Sequence, residues 1–571
     1  MKRLFHYLKK FKYQSILGPL FKLFETVLEL LVPFVVAKII DVGIHNADVD
    51  YVVKYSLLLC LMAAVGLAFS LTAQFFAAKA SVGCAESIRY DLFKKINTLS
   101  YSQIDKLGTS TLITRITSDV NLVQTGINLV LRLMLRSPFV VFGAMFMAFL
   151  IDSSKAIIFL GVIIVLFLVV GQISAFTIPM YKKAQIKVDS ILRETKESLS
   201  GAKVIRAFGI EEVAENEFKA ENNSLNLLQQ CSGAVSSLMN PLTYFLVNLG
   251  IICLIYSGSI DIDSGFLSQG ALVALYNYMT QILVELIKFA NLIITCNNSV
   301  ASLSRINTIL DIEDAKLSGN NILKSVDEIT LSDVSFHYDG VEKNALDNVC
   351  FNAKKGEFIG VIGGTGSGKT TLVNLITGAY NVTQGNLLIN GKPITDYSLT
   401  SLTDSIGLVP QKAVLFTGTI RDNILWGNTN ATDDDILTAL NHAQADNIIS
   451  SKADGLNAFV EQNGANFSGG QRQRLTIARA LVKKPQILIL DDSGSALDYA
   501  TDSKLRKAIK ENYNDSIVFI VSQRTSSIMD CDKIIVLDDG VVSGIGTHSE
   551  LLNSNEEYRE IYNSQFRGEG A

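Results

Sequence analysis

Eight consecutive residues in this chain, Gly363-Gly364-Thr365-Gly366-Ser367-Gly368-Lys369-Thr370, have the types and spacing needed to hold phosphate. They follow the apolar run Phe358-Ile359-Gly360-Val361-Ile362, which reads as a buried strand, and complete the pattern G-x-x-x-x-G-K-T. Successive glycines let backbone N–H groups curl around a β-phosphate. Lys369 reaches the β- and γ-phosphates, Thr370 can ligate Mg²⁺, and Thr371 continues the phosphate-binding turn into the helix. A second apolar strand, Ile487-Leu488-Ile489-Leu490, ends in Asp491, a carboxylate placed as one that helps hold Mg²⁺ must be. Between the two lies Asn466-Phe467-Ser468-Gly469-Gly470-Gln471-Arg472-Gln473-Arg474, ahead of an Ala-rich helical run. Ser-Gly-Gly at a helix start can be simple capping. Its place about a hundred residues beyond a phosphate loop, in a chain that has both other elements, favours a nucleotide contact instead.

The elements that must carry these residues are of two kinds. The chain has 571 residues, 48% hydrophobic and only 18% charged, too apolar for a soluble multidomain protein. The hydrophobic fraction excludes global disorder, and the scattered Gly and Pro exclude a collagen-like chain. The net charge of -5 divides into +4 for residues 1–320 and -9 for residues 321–571, and neither half is basic enough to make nucleic acid a partner. The seven cysteines form no CxxC pair and read as buried thiols.

Residues 55–78, 156–181, 222–260 and 264–284 contain no charged side chain, and each is long enough to cross a bilayer, for which about 20 apolar residues suffice. Residues 15–40 and 137–151, the latter extended by 129–135, are expected spans that carry charges, making six. Basic residues concentrate in the N-terminal dozen, in 79–119 and in 182–219, whereas 41–54, 151–155 and 261–263 hold almost none, so both ends are expected in the cytoplasm of a multi-pass cell-membrane protein. The N-terminus lacks a cleavage site, and Leu4, Phe5, Leu8 and Phe11 suggest a short interfacial helix. The long connections 87–121 and 182–221 are helical in pattern, so the membrane helices are expected to run on into the cytoplasm. The segments 108–115 and 197–208 within them read, from spacing alone, as turns at helix ends.

With these motifs in hand, the chain resembles a half-transporter of the ATP-binding cassette (ABC) exporters over essentially all its length. Ser468-Gly469-Gly470-Gln471 matches the family signature, with Phe467 where Leu is usual; Gln411 matches the Q-loop, Ser495-Ala496-Leu497-Asp498 the D-loop, and Tyr338 the adenine-stacking aromatic. The resemblance implies a membrane all-α domain of six long helices (1–310), a linker (311–328) and an α/β P-loop nucleotide-binding domain with a helical subdomain (329–571). It implies ATP and Mg²⁺, the metal on Thr370, Gln411 and Asp491. It also implies two chains head to tail, each ATP shared between the phosphate loop of one and the Ser468, Gly469, Gly470, Gln471 and Asp498 segments of the other. Closing both sites would draw the cytoplasmic helices together and turn the cavity outward. Residues 108–115 and 201–208 then fall where cytoplasmic loops touch nucleotide domains.

Two departures matter. Where the family has a water-polarising Glu, this chain has Asp492; where it has a His facing the γ-phosphate, this chain has Gln523. Asp is one methylene shorter, Gln cannot become cationic, and an error of roughly 1 Å in placing a water costs about a hundredfold in rate. Glu461-Gln462-Asn463-Gly464 also departs from the usual Gly-Glu-Arg-Gly. The expectation is a degenerate-site subunit of a heterodimeric exporter of amphipathic drugs or lipids, whose signature serves a partner half-transporter. Glu25, Glu29 and Glu285 could attract cationic amphiphiles, or could pair with Lys22 and Lys288 at helical spacing. An ATP-gated regulatory or channel-type protein and a homodimeric exporter are the competing readings.

Overall fold

The structure, a computed structural model, describes residues 2–313 and 319–566. Positions 314–318 of the expected linker and the last five residues of the second domain lie outside the described residues. Two compact units are formed, one from residues 1–95 and 110–312, the other from 96–109 and 313–571.

The first unit is all helix. Its spans are Lys12–Lys38, Val49–Ile96, Val120–Leu133 continued by Arg136–Ile151, Ser153–Ser200, Glu211–Ser237 continued by Met239–Asp263, and Gln269–Leu310. Five of these six stretches are long and apolar enough to cross a membrane by length and composition. Lys12–Lys38 is the exception, because it carries Lys22, Glu25 and Glu29 along its 27 residues. The helices Val49–Ile96 and Ser153–Ser200 each run 48 residues, roughly 70 Å at 1.5 Å per residue, more than twice a hydrocarbon core. The expected extensions are therefore continuous rods, and in the second of them Pro179 is the one proline. Asp152 caps that helix, accepting from the backbone N–H of Ser154 at 2.7 Å. The N-terminal segment forms the helix Lys2–Lys10, held by Tyr7, whose hydroxyl donates to Asp91 at 2.7 Å, and by Arg3 on Asp311 at 2.7 Å.

Among the described residues, the buried charges of the membrane unit are paired. Lys22 meets Glu25 at 2.6 Å, and Arg136 bridges Glu29 at 2.7 Å and Glu285 at 2.9 Å. Glu285 also accepts from Ser137 Oγ and Lys288 Nζ, and is 3% exposed. The pairing of Glu25 with Lys22 and of Glu285 with Lys288 is the one the helical spacing offered, and Arg136 adds a link between three helices that spacing could not reveal. A buried carboxylate stripped of its cation is costly.

Among the described residues the second unit has two large sheets and a two-stranded one, Gly418–Thr419 with Phe459–Val460. A six-stranded sheet runs in the order Val541–Gly546, Lys533–Asp538, Phe358–Ile362, Ile517–Val521, Ile487–Asp491, Ile406–Val409, all parallel except the first strand. Its inner strands are continuous β-branched and apolar runs buried on both faces, as parallel strands covered by helices must be. A four-stranded antiparallel sheet contains Leu346–Lys354, Glu328–Phe336, Gln384–Ile389 and Lys392–Pro393. A helical subdomain, Ile420–Leu425, Asp433–His442, Asp446–Ser450 and Gly469–Leu481, packs Ile424, Ile436, Leu440 and Leu475 into the same core as the large sheet.

The thiols depart from expectation. All seven are free, but only Cys84 and Cys531 are buried. Cys350 occupies an outward position of the alternating strand Leu346–Lys354, and Cys60 and Cys253 are exposed on the apolar helices Val49–Ile96 and Met239–Asp263. Arg136→Met is expected to destabilise the membrane unit by about 3–5 kcal/mol, the cost typical of removing one partner from a buried pair. Thermal unfolding in detergent should show a lowered midpoint, and adding Glu285→Gln should recover part of it.

Candidate functional site

The phosphate loop leaves the strand Phe358–Ile362, every residue of which is buried, and feeds the helix Lys369–Ile376. Gly366 and Gly368 have φ of +84° and +96°, a region other residues enter at a cost, and a Cβ on Gly368 would stand 2.6 Å from the Ala345 carbonyl oxygen. A Cβ on Gly364 would meet nothing within 4 Å. Lys369 is 9% exposed and donates to the carbonyls of Gly363 at 2.9 Å and Gly364 at 2.6 Å, and to Ser367 Oγ at 3.3 Å. Burial holds its ammonium below the usual lysine range, opposed by the charges of Asp492 and Asp491.

Parallel register brings the remaining groups to the same edge. Val521 lies level with Val361 on one side and with Asp491 on the other. Asp491 is 5% exposed, and burial raises its carboxyl above the ordinary range against a hydrogen bond from Thr370. Asp492 takes φ +46°, its N–H donating to the Val521 carbonyl at 2.9 Å, and its carboxylate accepts from Gln411 Nε2 at 3.3 Å. Asp tolerates this left-handed backbone better than most residues. Gln523 follows Val521 by two residues. Tyr338, Thr365, Gly366, Gly368, Lys369, Thr370, Thr371, Gln411, Asp491, Asp492 and Gln523 together line one cleft of about 320 Å³. The Tyr338 hydroxyl lies 3.1 Å from Thr371 Oγ1, which fixes the ring at the cleft's mouth. His548 is elsewhere, its Nδ1 bonded to Tyr558 Oη at 2.6 Å.

The second group of expected residues is not in this cleft. Ser468 caps the helix Gly469–Leu481 through a reciprocal pair with Gln471, its hydroxyl accepting from the Gln471 N–H at 3.3 Å and its own N–H donating to Gln471 Oε1 at 2.9 Å. A Cβ on Gly469 would meet no atom within 4 Å, so the helix start is open. Asp498 caps Tyr499–Asn512, accepting from Thr501 N at 3.0 Å.

A family model described as the ABC transporter transmembrane region matches residues 15–286, and one described as ABC transporter matches residues 346–495. An uncharacterized ABC transporter ATP-binding protein, YfiB of Bacillus subtilis, is 35% identical over 574 aligned residues covering all of both chains. The chain belongs to the ABC transporter family. The ATP-dependent lipid A-core flippase of Vibrio parahaemolyticus is 26% identical over 99% of this chain and 97% of its own. A bacterial Atm1-family ABC exporter solved with ATP bound superposes with a TM-score of 0.81 over 98% of each chain; at 22% identity that likeness speaks to the fold. The protein is thus a multi-pass membrane ABC transporter with a cytoplasmic, ATP-binding domain, and an ATP-hydrolysing translocase.

Sequence reasoning missed one feature beside this ABC cleft. The helix Tyr101–Leu107, a turn ahead of the expected 108–115 and ended by Gly108 at φ +75°, is itself part of the second unit and packs beside the nucleotide cleft. Tyr380 donates to Asp105, Ser102 donates to Asp339, and the Tyr380 ring packs on Tyr338 with centroids 5.4 Å apart. The only available signal was the capping box of Ser100 and Gln103, which marks a helix start but not its partner. For the loop itself, Gly368→Ala is expected to weaken binding of a fluorescent ATP analogue at least tenfold, a cost of about 1.4 kcal/mol or more. Gly364→Ala, with open space around its new methyl, should bind within about twofold of the parent.

Proposed function

We propose that this ABC transporter is the degenerate-site subunit of a heterodimeric exporter of amphipathic drugs or lipids. The observation that carries the reading is the pair Asp492 and Gln523 in a cleft whose binding elements are otherwise complete. Lys369, the phosphate-loop N–H groups and Tyr338 serve to bind and orient ATP, with Thr371 beside them. The donor set of hydroxyl, buried carboxylate and amide oxygen on Thr370, Asp491 and Gln411 fits a hard cation. These residues would hold Mg²⁺, which neutralises charge on the β- and γ-phosphates when bound. Asp492 keeps the charge needed to polarise a water but from a shorter stem, already engaged by Gln411. Gln523 offers a neutral donor where a cation would stabilise developing charge.

Ser468, Gly469, Gly470, Gln471 and Asp498, which do not line this cleft, are available to complete a partner's site, the open helix start of Gly469–Leu481 supplying its positive end to a γ-phosphate. The exposed apolar residues Val204 and Phe208 on the short helix Ala202–Phe208 also fit a second chain. For cargo, pairing of Glu25, Glu29 and Glu285 with cations argues against a free anionic lure, and the flippase relative favours lipid-like amphiphiles.

Steady-state ATPase of the chain co-purified with its partner half-transporter tests the assignment. Asp492→Glu is expected to raise turnover less than about twofold, since Gln523 remains and residues acting as a unit are non-additive. Ser468→Ala should lower it about a hundredfold, the effect of one lost preorganised donor. The reverse ordering, or full ATPase from this chain alone, would place hydrolysis at its own phosphate loop and make the homodimer the right description.

A further inference from the structure

The loop after Ile517–Val521 is held by something other than secondary structure. Ser522 N still donates to the Val361 carbonyl at 3.0 Å, the last link to the neighbouring strand. Beyond it, the Gln523 carbonyl accepts from Gln565 Nε2 at 2.7 Å, while Gln565 Oε1 accepts from Thr525 N at 2.9 Å and from Thr525 Oγ1 at 2.8 Å. Arg524, between them, is extended at φ -93° and ψ 119°. In extended chain the C=O of one residue and the N–H two residues on point to the same side, as they do toward a neighbouring strand. The side-chain amide, carrying a donor and an acceptor on one carbon, takes the place of that missing strand.

Gln565 belongs to the helix Glu556–Phe566, whose position is set independently of the cleft. Tyr558 is fully buried, and Asn555 Nδ2 donates to the Ser543 carbonyl at 3.0 Å on an edge strand. Thr525, the residue gripped at the other end, is also fully buried. The clamp therefore joins two fixed points, and the residue whose backbone it fixes is Gln523, whose side chain lines the nucleotide cleft.

We propose that Gln565 is a positioning residue of the nucleotide site: by clamping the Gln523 and Thr525 backbone, the C-terminal helix sets how Gln523 faces the γ-phosphate and so how well the site tells ATP from ADP. This rests on the reading of Gln523 as the group that meets the γ-phosphate. ADP lacks that phosphate, so its affinity is insensitive to the clamp.

The test uses the full-length protein in detergent, with ATP and ADP competing against photo-crosslinking of 8-azido-ATP to this chain. Gln523→Ala is expected to lower the preference for ATP over ADP at least about tenfold, as loss of one hydrogen bond to a charged group does, and Gln565→Ala to lower it by a similar factor with ADP affinity unchanged. The double variant should fall no further than either single one, because both act through one contact. Gln565→Glu keeps an acceptor for Thr525 but loses the donor to the Gln523 carbonyl; it should lose the preference too, and covers the case in which Gln565→Ala fails to fold. An unchanged preference in Gln565→Ala and Gln565→Glu while Gln523→Ala loses it overturns the clamp and leaves the Gln523 reading standing. Equal losses for ATP and ADP show a merely structural role and also overturn it. An unchanged preference in Gln523→Ala overturns the reading of Gln523, and the proposal with it.

Discussion

Everything near the phosphate loop depends on three neighbouring strands running the same way and ending level. Phe358–Ile362, Ile517–Val521 and Ile487–Asp491 are parallel, with Val361, Val521 and Asp491 in register. Adjacent strands are about 4.8 Å apart, so the residues that follow them emerge within roughly 10 Å of one another. The glycine turn, the acidic pair Asp491 and Asp492, and Gln523 thus share a cleft although more than 150 residues separate the first from the last. A slip of one residue in either pairing would invert which side chains face the helices and which face the opposite layer. The continuous burial of all three strands makes such a slip expensive.

The membrane unit answers a different constraint, that charge in a low-dielectric interior must be matched nearby. Arg136 meets it by standing between Glu29 and Glu285, on helices far apart in the chain. The polar residues that interrupt the first span are therefore part of its packing. They also explain why Lys12–Lys38 reads as less clearly membrane-spanning than its neighbours while still forming one unbroken helix of 27 residues.

What could be read in advance was whatever chemistry requires to be contiguous. The phosphate loop, the strand ending at Asp491 and the charge-free stretches are each local patterns, and the structure places them as the patterns demand. Helix continuation past the membrane was legible from the absence of breakers. Contacts made by folding alone were not: Tyr380 against Asp105, Gln565 on the loop of Gln523, and Arg136 between two helices leave no mark on sequence spacing. The cysteines show the limit of composition, since Cys60 and Cys253, in hydrophobic surroundings in the sequence, are exposed instead of buried in a core.

Pro179 gives the long helix Ser153–Ser200 a mechanical property that its length alone does not. Without an N–H, it leaves the carbonyl of Ala175 unbonded within the ladder, so flexural stiffness drops at that point while the rest of the rod stays stiff. Ser200 lies 21 residues further on, roughly 30 Å. A deflection of about 20° at the proline would sweep that end sideways by roughly 10 Å. Such a deflection would make the helix a lever pivoting at the proline, its far end travelling while the bonded turns on either side keep their shape.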